Sequence, residues 1–232
     1  MATGCEADTE RLSGYAVHGI DISRHQSKVN WDAVAAEGIS FAFVKATEGR
    51  RHSDTFYCRN WAEMQRVGIK RGAYHFFRPS IDAKEQANNF IANVDMQYGD
   101  LPPVLDIEVD EDVPREVLAK QLKTWLYLVE LRYSIRPIIY TSYKFYNKFI
   151  AGEFDKYPIW IAKYGGEAPR LGGQARWWFW QYGNKGRIKG IDGFVDFNVF
   201  YDSREELDKI CLSGAMLSGI DRQYLLGKQS KF

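Results

Sequence analysis

Leu101-Pro-Pro-Val-Leu-Asp-Ile-Glu-Val109 is the stretch on which the reading of the whole chain turns. A diproline leads into Val104-Leu-Asp-Ile-Glu-Val109, apolar and β-branched residues interrupted by two carboxylates, with the acidic run Asp110-Glu-Asp112 behind it. Such a run between turn-forming residues reads as a buried strand. Residues two apart on a strand face the same way, so Asp106 and Glu108 project together with Cα atoms roughly 6–7 Å apart. Like charges at the end of a buried strand are costly unless something neutralises or uses them. Paired carboxylates in different environments, one protonated and one ionised, are what acid/base sugar chemistry requires. Two solvated acids at a strand end are the plainer alternative.

Outward from that strand, apolar runs alternate with helical patterns. Strands are predicted at 15–23, 39–46, 70–77, 104–109 and 136–141. Helices are predicted after each: from Asn30, a plausible N-cap, to Glu37; from Asp54 to Val67 with Tyr57, Trp61 and Met64 turned to the core; from the Asp82-x-x-Glu85 box; from Pro114 to Tyr133; and from Tyr143 to Ile150. The rhythm then changes. Segments 158–164, 177–182 and 193–200 read as three strands with no convincing helix between them, and Ser203-x-x-Glu206 opens a last helix. Strand–helix alternation implies parallel pairing with right-handed crossovers. Eight strands suffice for a closed barrel, here with an incomplete helical coat.

Length and composition agree. The 232 residues are 45% hydrophobic, enough for one barrel or one large domain, and the formal charge of +1 gives no footprint for nucleic acid or an anionic membrane. No apolar run approaches the length that spans a bilayer. Cys5, Cys58 and Cys211 are widely separated and match no metal or redox motif. Residues 1–14 read as a leader or cloning remnant without signal-peptide features, with Cys5 as an alternative lipid-anchor remnant. The barrel is assigned to 15–210, and 211–232 is a tail of unassigned role.

Parallel barrels carry their chemistry at the C-terminal ends of their strands. The polar residues expected there are Asp21, Glu48, His75, Asp106, Glu108, Tyr140, Tyr164, Gln181 and Tyr182, with Asp196 in the last strand. Acids from three separated strands then meet on one rim, walled by Trp160, Tyr164, Trp180 and Tyr182. Each has a structural alternative: Asp21 as a turn cap with Ser23, Asp196 in an ion pair, His75 as a hydrogen-bonded core histidine, the aromatics as barrel packing, and Lys45–Glu48 as an ion pair. With four histidines and no H-x-H or H-E-x-x-H, no catalytic metal or other cofactor is expected.

The motifs Gly19-Ile-Asp-Ile-Ser-x-x-Gln26, Phe43-Val-Lys-Ala-Thr-Glu-Gly49, Gly72-Ala-Tyr-His-Phe76, Leu105-Asp-Ile-Glu108, Ile139-Tyr-Thr141, Trp160-Ile-Ala-Lys-Tyr164, Trp180-Gln-Tyr182 and Val195-Asp-Phe-Asn198 follow one another in order across 17–200. In this the chain resembles the glycoside hydrolase family 25 lysozymes, the Chalaropsis-type N-acetylmuramidases. The resemblance implies an α/β fold, a flattened TIM-like barrel of five β/α units followed by three β-strands. It implies cleavage of the β-1,4 bond between N-acetylmuramic acid and N-acetylglucosamine in peptidoglycan. By position it makes Glu108 the general acid and Asp106 the partner that orients the substrate acetamido group or stabilises positive charge. Asp21 and Asp196 match its remaining acids, and Tyr140 and Tyr164 its aromatic hydroxyls. Trp160, Gln181, Tyr182 and His75 complete the expected substrate-binding set. Family analogy favours substrate assistance with retention, in a secreted or envelope-associated monomer. A non-catalytic glycan-binding barrel, a hydrolase of chitin-like oligomers and a protein-binding aromatic wall are the rival readings.

Overall fold

Side-chain alternation along each strand sorts the apolar residues into two layers, and that sorting makes the barrel. The computed structural model describes residues 11–172 and 176–213; the assignments made for residues 1–10, Cys5 included, and for the tail beyond 213 lie outside them. The described strands are β1 (His18–Ile22), β2 (Phe41–Glu48), β3 (His52–Ser53), β4 (Lys70–Phe76), β5 (Val104–Asp106), β6 (Ile138–Ser142), β7 (Ile159–Ala162), β8 (Trp177–Gly186) and β9 (Val195–Phe200). Hydrogen bonding runs β1-β9-β8-β7-β6-β5-β4-β2, and a parallel β1–β2 pairing closes the ring. The closed eight-stranded α/β barrel is therefore as read; β3 is a two-residue hairpin on the end of β2 that the pattern did not announce.

Helices follow the early strands: α1 (Trp31–Ala36), α2 (Tyr57–Arg66), α3 (Ala83–Asn93), α4 (Arg115–Tyr133) and α5 (Tyr143–Phe145), which continues as a π-helical turn over Tyr146–Ile150. Asn30 caps α1 through Ala33 N, and Asp82 caps α3 through the amides of Lys84 and Glu85. Outward residues such as Val44, Leu105, Ile139 and Ile161 pack with Trp61, Met64, Phe90, Leu122, Trp125 and Val129 from these helices. Inward residues Phe41, Phe43, Val104, Ile138, Trp160 and Phe179 fill the barrel. Phe43 stacks on Trp160 at 4.4 Å and meets Phe179 edge-on at 5.0 Å. These rings fit because Gly19 and Gly72 leave space: a Cβ at either position would lie 2.4 Å from the ring of Phe41 or Phe43. Truncating such a ring to alanine costs about 3–5 kcal/mol.

Two features re-aim the rim. β9 runs antiparallel to both β1 and β8, so its first residues, not its last, reach the C-terminal ends of the parallel strands. A β-bulge between Lys45 and Thr47 shifts the register of β2 against β4. Where no helix covers β8, its outer face is shielded by Tyr15 and Trp177 against Trp180. The opposite end of the barrel is closed by α6 (Arg204–Lys209), whose Leu207 packs with Val17, Leu101 and Phe200.

Candidate active site

The cleft at the C-terminal ends of the strands is a cavity of about 240 Å³. Asp21 and Asp196 are direct partners in the β1–β9 ladder, which brings two acids far apart in sequence side by side. Asp106 ends β5; Glu108 lies just beyond it, where Ile107 N still bonds Tyr140 O at 3.0 Å and keeps the strand direction. The predicted common face for Asp106 and Glu108 is thus what the backbone delivers. All four acids line the cavity, with Tyr140, Trp160 and Gln181.

Gln181 is the hub. Its Nε2 donates to Asp21 Oδ2 at 2.9 Å, while its Oε1 accepts from Tyr140 Oη and Tyr164 Oη at 3.0 Å each. Asn198 Nδ2 gives Asp21 Oδ2 a second donor at 2.7 Å, and Trp160 Nε1 fixes that amide by donating to Asn198 Oδ1 at 2.7 Å. Tyr164 is 48% exposed and forms the outer edge of this network.

Crowding four carboxyls into one cleft raises the pKa of each. Burial raises Asp106 well above the ordinary carboxylate range, and the neighbouring Glu108 adds to it. Glu108 stands exposed at the cleft mouth, yet the walls around its carboxyl strip hydration and raise it; Asp21 pushes the same way, and a hydrogen bond from Asp106 opposes. Asp196 is pushed up to about 9, by burial first and then by Asp21. Asp21 is also raised by burial, against the hydrogen bonds it receives from Gln181, Asn198 and Asp196. The acids stand as two neighbouring pairs, Asp21–Asp196 and Asp106–Glu108. Asp106 Oδ1 is buried without a hydrogen-bond partner.

Two expected site residues lie elsewhere. His75 points out of the barrel, fully buried, with Nδ1 2.7 Å from Thr47 Oγ1, Nε2 3.1 Å from Gln86 Oε1 and its ring stacked on Trp125. It alternates with Tyr74 and Phe76, which take the cleft side, and burial lowers its pKa to about 4, so it is neutral. Tyr182 likewise faces outward from β8, against Trp180 and Phe197, because Gln181 takes the inward direction. Trp180 belongs to the same outer layer, its Nε1 donating to Lys163 O. Conversely, Lys45, Tyr74, Phe76 and His25 line the cleft without having been assigned to it. Period-two alternation from Asp196 identifies Asn198, and from Asp106 across the ladder Tyr74; the bulge that turns Lys45 and Glu48 inward left no sequence signal. Among the described residues no group of three or more His, Cys, Asp or Glu side chains is arranged to hold a metal ion. A larger depression of about 850 Å³ along α4 is lined by Lys120, Lys123 and Tyr127, with Glu116 and Glu153 on its wall and Glu153 paired with Lys123.

A closed barrel with four acids on one rim defines a glycoside-hydrolase type of site, and comparison identifies which. Residues 20–191 match the glycosyl hydrolases family 25, and the chain belongs to that family. It is a glycoside hydrolase. Lysozyme M1 of Streptomyces globisporus is 37% identical over 205 residues, covering 82% of this chain and 70% of that protein. A family 25 glycosyl hydrolase from Bacillus anthracis superposes with a TM-score of 0.82 at 31% identity, covering 88% of this chain and 97% of the other. The bacterial lysozyme from Streptomyces coelicolor gives 0.81 at 32%, with coverage of 86% and 98%.

Proposed function

We propose that the protein is a muramidase that hydrolyses the β-1,4 bond between N-acetylmuramic acid and N-acetylglucosamine in peptidoglycan, acting as a secreted or envelope-associated monomer. The similarity to lysozymes supports the substrate class. The observation that carries the mechanism is the Asp106–Glu108 pair. The two carboxyls project from the same face of one strand end into the cavity, and each bears on the other's pKa. Adjacent on one strand end, both work from one side of the scissile bond, and by analogy with family 25 the substrate's own acetamido carbonyl, rather than an enzyme carboxylate or water, is the nucleophile, with net retention.

The unpartnered Asp106 Oδ1 suits an acetamido N–H. Accepting that hydrogen bond favours the ionised form of Asp106 and passes the pair's shared proton to Glu108. Glu108, at the mouth, then protonates the leaving oxygen as general acid. As the acetamido carbonyl attacks the anomeric carbon, the glycosidic bond breaks and an oxazolinium forms; Asp106 stabilises its charge until water, deprotonated by Glu108, opens it. Asp21, Asp196, Tyr140, Tyr164, Trp160 and Gln181 shape the sugar subsite. Glu108→Gln is expected to lower kcat at least about 10³-fold with an unchanged circular dichroism spectrum. Retention of more than a tenth of the wild-type rate would remove Glu108 from the role of acid.

A further inference from the structure

The cleft holds four acids, and among the described residues lining it there is one lysine or arginine, Lys45. Its orientation is built into the strand. In a regular strand residues 45 and 48 face opposite sides. The bulge between Lys45 and Thr47 cancels that difference. Lys45 and Glu48 consequently share a face, with Nζ 2.7 Å from Glu48 Oε2. Thr47 is turned outward to His75, which is held in turn by Gln86. Lys45 Nζ also sits 4.7 Å from the ring centroid of Phe76, and only 17% of its side chain is exposed. Glu48 receives a second cation from outside the cleft, Arg78 at 3.8 Å, which itself binds Glu111 at 2.7 Å.

We propose that Lys45 is a positioning residue for the reaction: a fixed positive charge that sets the pH window in which the cleft acids divide into protonated and ionised members. Glu48 sets how much of that charge they feel. The inference rests on the muramidase reading for its substrate, but not for its geometry. The groups lining the cleft with Lys45 are Asp21 on β1, Tyr74 on β4, Asp106 on β5 and Glu108 just beyond it, Tyr140 on β6 and Asp196 on β9, with His25 at the mouth and Glu48 on β2 paired to Lys45 itself. Lys45 opposes the raising of both Asp106 and Glu108, whereas Glu48 adds to the raising of Asp106. A cation beside a carboxylate lowers the pH at which it ionises, and an anion raises it.

The signs of two variants are therefore opposite. Lys45→Met removes the cation, so the acids titrate higher and both limbs of the kcat/KM–pH profile move up by about one unit. Glu48→Gln removes the counter-anion, so the limbs move down. Lys45→Arg keeps the charge and restores a profile near wild type. The test is a pH profile of all four proteins on solubilised peptidoglycan, with unfolding curves for each. A merely structural Lys45 would lower kcat without moving the limbs, or move both variants in the same direction, and either result overturns the inference. Loss of turnover by wild type itself on this substrate would overturn the muramidase reading; limbs that stay fixed while wild type is active overturn only the role of Lys45.

Discussion

Replacing Gln181 with leucine removes the hub of the cleft while nearly conserving its volume. Three hydrogen bonds disappear, to Asp21 Oδ2, Tyr140 Oη and Tyr164 Oη. Tyr164 is half exposed, so water replaces its partner at little cost. Tyr140 and Asp21 are buried at 7% exposure each and cannot be rehydrated in place. A buried polar group that loses its partner costs about 1–3 kcal/mol, so the substitution is expected to cost about 2–5 kcal/mol. For a chain of this size that lowers Tm by roughly 4–20 °C. The loss depends on pH with a defined sign. Asp21 is already raised by burial and is held down by the Gln181 and Asn198 amides. Without Gln181 its folded pKa rises further above the unfolded value, so the variant loses most at neutral pH and approaches wild type as pH falls and Asp21 is protonated in both states. Urea unfolding at pH 7 and pH 4.5 checks both terms, with Tyr164→Phe as the control expected to cost under about 1 kcal/mol. A Gln181→Leu loss below about 1 kcal/mol at pH 7, or one that grows on acidification, would refute the network as drawn.

Asp196 is held up near 9 against an ordinary value of 3.8, so folding binds a proton between those values and stability falls as pH rises through that window. Asp196→Asn is accordingly expected to raise Tm at pH 7 by a few degrees (about 1 kcal/mol, a stability–function trade-off), with the gain vanishing near pH 4 and turnover impaired; calorimetry at the two pH values reads this. His75 runs the other way: its pKa falls to about 4 from 6.5, so its contribution is lost as pH drops through that interval. His75→Leu, which strands Thr47 Oγ1, is expected to destabilise by about 1–3 kcal/mol at pH 7 and to flatten the acid side of the stability curve, measured by urea unfolding, with KM unchanged because the ring lies outside the cleft.

The barrel was legible because its strands are apolar on both faces and separated by capped helices, as Asn30 and Asp82 show. The rim acids were legible for the same geometric reason: period-two spacing put Asp106 and Glu108 together, and no local detail was needed. His75 and Tyr182 were misplaced because Tyr74 and Phe76 beside the one and Gln181 beside the other are also polar or aromatic, so composition alone does not reveal which residue of Tyr74-His-Phe76 or Gln181-Tyr182 turns inward. The structure resolves it through partners, Gln86 and Trp125 on one side and Asp21 on the other. Lys45 was read only as half of an ion pair, which it is, but a bulge has no fixed residue signature and its change of facing is visible only in the ladder. Asp196 was placed within the last strand, and it reaches the rim because that strand runs antiparallel to β1 and β8, a direction nothing in Val195-Asp-Phe-Asn198 encodes.

The most direct test of the central claim is mass spectrometry of the soluble products released by the wild-type protein from purified peptidoglycan. The account predicts muropeptides with N-acetylmuramic acid at the reducing end, and none from Glu108→Gln. Products ending in reducing N-acetylglucosamine, or an intact glycan that the protein binds without cutting, would contradict it.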